Sequence, residues 1–208
     1  MKIIKYTLIA ATFLLVGYNS ITVQPLDKVK KAGQKFDAAV FAREYWTKTL
    51  PSAFSQAISI TDLVAMLTTD KTKTFETTSH AVSIGNVRYF LVKGEGVVSK
   101  IGEDEVTLLL KNGDKTVTVR LATEFIYGSA VRDAAGLFDI KQFTNNNDIN
   151  NVASEINKIV KTEVVPSFKK GVNLGNSVSF IGAVEMNQEH PQLDNLEVLP
   201  IELNIKPN

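Results

Sequence analysis

VRYFLVKGEGVVSKIGEDEVTLLLKNGDKTVTVRLATEF, residues Val87–Phe125, decides the fold. It reads as three strands in succession. Val87–Ile101 is a long first strand with Gly94 and Gly96 at its middle, where glycine marks a bulge or a sharp bend. Gly102-Glu103-Asp104 turns the chain. Glu105–Lys111 is a second strand, with Val106, Leu108 and Leu110 on one face. Asn112-Gly113 is a hairpin signal, because a type I′ turn needs positive φ at both central residues. Lys115–Phe125 is a third strand, in which Val117, Val119 and Leu121 alternate with Thr116, Thr118 and Arg120.

Downstream, Asp148 can cap a helix over Ile149–Val164. Its Val152, Ile156, Ile159, Val160 and Val164 share one face, and Pro166 closes it. Ser177–Met186 reads as a fourth strand and Glu197–Ile205 as a fifth, where Pro200 suits an edge. Upstream, Asp37 caps a helix over Ala38–Lys48. Leu50-Pro51 ends that helix and opens another, and Thr61 or Asp62 recaps a turn through Leu67. The predicted class is α+β, mainly β. N-terminal helices precede an OB-like, five-stranded antiparallel barrel with a helix between strands three and four. A helix packed on an antiparallel sheet would give a similar order. The expected division is a signal or anchor over residues 1–23, a helical extension over 24–80 and the barrel domain over 81–208.

The chain opens Met1-Lys2-Ile3-Ile4-Lys5, then runs uncharged from Tyr6 to Val23. A basic start followed by an apolar stretch is the layout of an export signal. Leu15-Val16-Gly17-Tyr18 resembles a lipoprotein signal, but Tyr18 stands where the lipidated cysteine would be. No small-residue pair makes a good cleavage site. A bilayer core needs about 20 apolar residues, so the segment is expected to stay as an uncleaved helix anchored in the inner membrane. A cleaved signal and a soluble periplasmic product are the alternative. Either way the remainder works outside the cytoplasm.

The net charge is +1, from 23 basic and 22 acidic residues. That leaves no basic excess for a phosphate backbone, so no nucleic-acid partner is expected. No cysteine occurs, which excludes disulfides and thiolate chemistry. His80, beside a Thr-rich loop, and His190 stand in no metal-ligand spacing. Asn145-Asn146-Asn147-Asp148 lacks the alternation of a calcium loop, and Glu103-Asp104-Glu105 lies within one tight turn. No metal or cofactor is expected, and no catalytic constellation emerges.

Two places hold candidate binding residues. Tyr45 and Trp46, with Phe41, form an aromatic cluster that serves either a core or an apolar ligand. Gly128-Ser129-Ala130-Val131-Arg132-Asp133-Ala134 is a small-residue loop carrying a charged pair. Its glycine would let a ligand or another backbone approach. Arg132 could clamp a carboxylate or instead tie the loop to internal acceptors.

That loop, with Phe138-Asp139 and Phe143-Thr144-Asn145, resembles the Gly-Thr-Ala-x-Arg-Asp-Ala … Phe-x-x-Phe-x-Asn pattern of the predicted periplasmic lipoproteins, domain of unknown function 2291. Phe36-Asp37 with Tyr45-Trp46, Val92–Gly96 and Leu174–Ala183 extend the resemblance over roughly residues 36 to 205. Ser129 replaces the usual Thr. The resemblance implies an exported protein, often lipidated, whose relatives often occur beside sugar-type ABC transporter components. The expected function is a membrane-tethered envelope accessory protein that binds a small solute or a partner, such as a transporter component. Candidate contacts are Arg132, Asp133, Gly128, Ser129, Asn145, Tyr45 and Trp46. A structural envelope protein and a glycan-acting enzyme are the alternatives.

Overall fold

The computed structural model describes residues 36–82 and 85–206. The expectations for the signal or anchor over residues 1–23 lie outside the described residues. Residues from Asp37 onward form one compact unit.

Asp37 caps the first helix, α1 (Ala38–Glu44), by accepting from the amides of Ala39 and Val40. A π-helical turn (Tyr45–Thr49) and a 3-10 segment (Leu50–Gln56) follow. Pro51 sits in the first turn of the latter, where its missing N–H costs nothing. A short strand, β1 (Ile58–Ser59), leads into α2 (Ile60–Thr69) and α3 (Lys71–Thr78). The Thr-rich stretch is thus mostly helix and not the loop expected from composition. Asp70 caps it through the Lys73 amide, and Thr74, Thr77 and Thr78 donate to carbonyls four residues back.

The strands are β2 (Val87–Ile101), β3 (Glu105–Asn112), β4 (Lys115–Ala122), β5 (Ser177–Asn187) and β6 (Leu196–Ile205). Sheet order is β1-β2-β3-β4-β6-β5, and β2 also pairs with β5, which closes the ring. Among the described residues the count is six where the sequence predicts five, because two residues of β1 pair parallel to Val92 and Lys93. So short a segment carries no periodicity to read. The sheet is mixed as well: β4 and β6 run parallel over Val119–Leu121. Parallel pairing needs a long crossover, supplied by residues 123–195. Its helices are α4 (Ala130–Asp133), α5 (Asn146–Ile159) and α6 (Val165–Gly171). Asn145, and not Asp148, caps α5. Pro166 does not end the helical run. It sits in the first turn of α6, after a π-helical turn over Val160–Val164.

Closure depends on β2. It pairs with β5 from Val87 to Val97 and with β3 from Val97 to Ile101. Gly96 immediately precedes the changeover. A Cβ there would lie 2.6 Å from Leu110 Cδ1 and 2.9 Å from the Leu109 carbonyl oxygen. Only glycine lets the two strands approach that closely. Gly96→Val is expected to cost about 1–3 kcal/mol through overpacking, read as a lower urea midpoint. An unchanged midpoint would refute this account of the corner.

Two apolar cores result. Alternate strand residues, such as Val106, Leu108 and Leu110, fill the barrel. Ile60, Leu63 and Leu67 of α2 and Phe168 of α6 join them. Leu91, Ala183, Leu199 and Ile201 belong to the second core. There they meet α1, the 123–143 loop and α5 through Ala42, Tyr45, Val131, Val152 and Ile156. Pro200 pairs with Gly182 beyond the last β4 partner of β6, so it occupies a local edge, as its missing N–H requires.

Candidate functional site

The loop after β4 is clamped between α1, α5 and the sheet. Within it Arg132 and Asp133 are 5% and 2% exposed. Arg132 Nε donates to Asp133 Oδ1 at 2.6 Å and Nη2 to Oδ2 at 2.8 Å, a two-bond fork between neighbouring residues. Nη1 donates to the Ile149 carbonyl at 2.9 Å, fastening the loop to α5. The guanidinium also lies over the Phe138 ring, 4.6 Å from its centroid, a favourable cation–π geometry. The Arg132 carbonyl accepts from Tyr45 Oη at 2.8 Å. Burial, and then the nearby Asp133 charge, raises the Tyr45 phenol above its ordinary pKa. The phenol is therefore a donor anchored in the core.

The other candidates divide. Ser129 Oγ donates to Tyr89 Oη at 2.9 Å, joining the loop to β2. The Gly128 carbonyl accepts from Asn157 Nδ2 at 2.8 Å. No described atom lies within 4 Å of where a Gly128 Cβ would point, so no backbone uses the space its glycine leaves. Asn145 works at the start of α5, where its side chain binds the Asp148 amide and carboxylate. Trp46 is half-buried against the second core. Phe41 packs edge-to-face on Phe138 and Phe143, and Tyr45 does the same on Phe138. The aromatic cluster is therefore shared with the Arg-Asp loop.

Beside this hub opens a cleft of about 350 Å³, lined among others by Ser79, His80, Arg88, Asp133, Phe138 and Asp139. Arg88 Nε donates to Ser79 Oγ at 2.8 Å and its Nη2 to the Ser79 carbonyl at 3.1 Å. His80 pairs with Tyr89 through both backbone groups, bringing the segment after α3 onto the sheet. Partial burial of the imidazole, then the Arg88 charge, lowers the His80 pKa, so at neutral pH the ring is uncharged. Gly136 has φ +67°, and a Cβ there would lie 2.4 Å from His80 Nδ1. The opposite wall thus fits against the His80 ring. Sequence reading misses Arg88 and Ser79. Arg88 shows only as a polar residue in a strand, and Ser79 only as part of a Thr-rich run. Among the described residues no group of His, Asp and Glu could hold a metal ion.

A second open groove, of about 410 Å³, lies by the β2–β3 turn and is lined by Glu103, Glu105, Arg120, Glu197 and Phe125. Arg120 bonds Glu105 at 2.8 Å and Glu197 at 3.4 Å. Phe125 and Tyr127 are 60% and 71% exposed. Among the described residues no helix is long and apolar enough to cross a membrane.

Comparison with known proteins fits this architecture. The chain is similar to an OB-fold protein from Thermotoga maritima known from its crystal structure, at 27% identity and a TM-score of 0.74. The match covers 83% of this chain and all of that one. The barrel is an OB-fold, closed by the β2–β5 pairing and carrying a parallel β4–β6 contact. No curated protein matches the chain. A family model described as predicted periplasmic lipoprotein (DUF2291) matches residues 11–204.

Proposed function

The chain belongs to the predicted periplasmic lipoprotein family DUF2291, and from that premise we propose that it is a solute-binding accessory protein of the cell envelope. Its family membership puts it outside the cytoplasm. The finer parts of the proposal are a tether through residues 1–23 and service to a sugar-type ABC transporter, as the resemblance implies. The observation that carries the reading is the cleft beside the Arg-Asp hub. In it Arg88 is fixed by two hydrogen bonds to Ser79, and polar groups face an apolar wall of Val82, Phe138 and Ile140, so it offers a small molecule both orienting polar groups and an apolar surface. Binding suits it better than catalysis. Arg132 and Asp133 neutralise each other, and among the described residues the guanidinium donates only to internal acceptors, Asp133 and the Ile149 carbonyl.

Crosslinking the full chain in native membranes, followed by mass spectrometry, tests this. The expected result is a permease or solute-binding component of a sugar-type transporter, together with a bound small molecule. Recovery of neither would defeat the proposal. The tether has its own readout. N-terminal sequencing should return Met1, and a start near Asn19 or Ser20 would replace the tether by a soluble periplasmic form.

A second reading, docking of a protein partner, draws on exposed Phe125 and Tyr127 beside the 410 Å³ groove. Two solvated aromatics on one loop resemble the anchors that dominate binding energy at interfaces.

A further inference from the structure

The chain has four arginines, and three of them are ion-paired. Arg43 pairs with Glu163, Arg120 with Glu105 and Glu197, and Arg132 with Asp133. Arg88 has no carboxylate within 4 Å among the described residues. It is half-buried and lines the 350 Å³ cleft. A partly desolvated cation without a counter-ion is a costly arrangement. It persists here because Ser79 holds Nε and Nη2, which also fixes the plane of the guanidinium before any ligand arrives. Among the described residues Nη1 has no hydrogen-bond partner.

Resting on the reading of this cleft as a solute site, we propose that Arg88 binds the carboxylate of a small hydroxy- or amino-carboxylate. The guanidinium supplies planar, charge-assisted donors that match a carboxylate. His80, in the same cleft, offers a neutral imidazole that can donate or accept a hydrogen bond. A phosphate dianion fits less well. Among the described residues the cleft offers it one uncompensated cation, and Asp139 lines the same space. Asp139 Oδ1 accepts from the Lys141 amide, and its carboxylate keeps further lone pairs. These suit a hydroxyl or ammonium group on the ligand. Phe138, Val82 and Ile140 form the apolar wall against which a short carbon chain would lie. Asp133 contributes little net charge, because Arg132 neutralises it.

The test is isothermal titration of the full chain with lactate, gluconate, alanine, inorganic phosphate, glycerol 1-phosphate and glucose. At least one of the three carboxylates should bind, and the phosphates and glucose should bind more weakly. Arg88→Gln should weaken the best carboxylate roughly 10- to 100-fold, the loss expected of a charge-assisted hydrogen bond. Arg88→Lys should fall between. Thermal melts of each variant establish that it is folded. Should Arg88→Gln disturb folding, Ser79→Ala serves in its place, since freeing Nε should weaken binding while the charge remains. Binding of glucose alone, with Arg88→Gln unaffected, would overturn the carboxylate assignment and leave the cleft a solute site. Stronger binding of the phosphates would overturn it in the same way. No binding by any of the six overturns the carboxylate assignment, and a bound molecule recovered from native membranes would still support the broader reading.

Discussion

Asp133→Ala is expected to lower the stability by about 3–5 kcal/mol, the usual penalty for removing one partner of a buried ion pair. The size follows from what remains. Arg132 is 5% exposed and would lose two hydrogen bonds, at 2.6 and 2.8 Å. It would keep only the Ile149 carbonyl and the Phe138 ring. In a domain of this size that corresponds to a fall in Tm on the order of 10 °C. The double variant Arg132→Met/Asp133→Ala should recover part of the loss, since no buried charge would be stranded. Urea denaturation followed by circular dichroism reads both variants. A loss below about 1 kcal/mol for Asp133→Ala, the scale of a solvated surface pair, would show that water reaches Arg132. The hub would then be open to ligands after all.

Phe90→Ala should cost about as much, roughly 3–5 kcal/mol, for a different reason. The ring is fully buried in the barrel and meets Phe75 of α3 edge-to-face at 5.3 Å between centroids. Its removal leaves a cavity among β2, β5 and α3 that rigid barrel strands fill poorly. It also loosens the contact that holds α3 against the sheet. Phe125→Ala is the matched control. At 60% exposure it should change stability by less than about 0.5 kcal/mol. If the two losses were similar, the division between a packed barrel and an exposed loop aromatic would be wrong.

Much of the fold was legible because its determinants are local. The alternation of Val106, Leu108 and Leu110 and of Val117, Val119 and Leu121 is the period-two signature of half-buried strands. The hairpin forms at Asn112-Gly113, but not as the type I′ turn expected: Asn112 still pairs with Lys115, the two-residue loop is Gly113-Asp114, and of these only Gly113 has a positive φ, +59°. Asp37 caps its helix as expected. The misses arose where tertiary contacts overrode local signals. The β-prone threonines of α3 became helical once Asp70 capped them and Phe75 found the barrel core. Pro166 was taken by a new helical turn instead of stopping one. β1 exists only because β2 is present to pair with it.

The site was less legible. Arg132 and Asp133 stood out as an adjacent charged pair, yet adjacency alone leaves open whether they face each other or a ligand. Burial between α1 and α5 turned them toward each other. Trp46 and Asn145 drew notice by type and are occupied by packing and by helix capping.

By itself, then, the sequence determined the succession of the five long strands along the chain, the hairpin, the glycine-bent first of them and the helix between the third and fourth. Each of these follows from backbone preference or from a period readable within a dozen residues. Ring closure through β2–β5, the parallel β4–β6 contact and the isolation of Arg88 were decided only by the tertiary structure. The physical reason is range. Whether a charge has a counter-ion depends on groups within a few ångströms in space. Around Arg88 those groups come from residues 79–82 and 133–140, brought together only by the closed barrel.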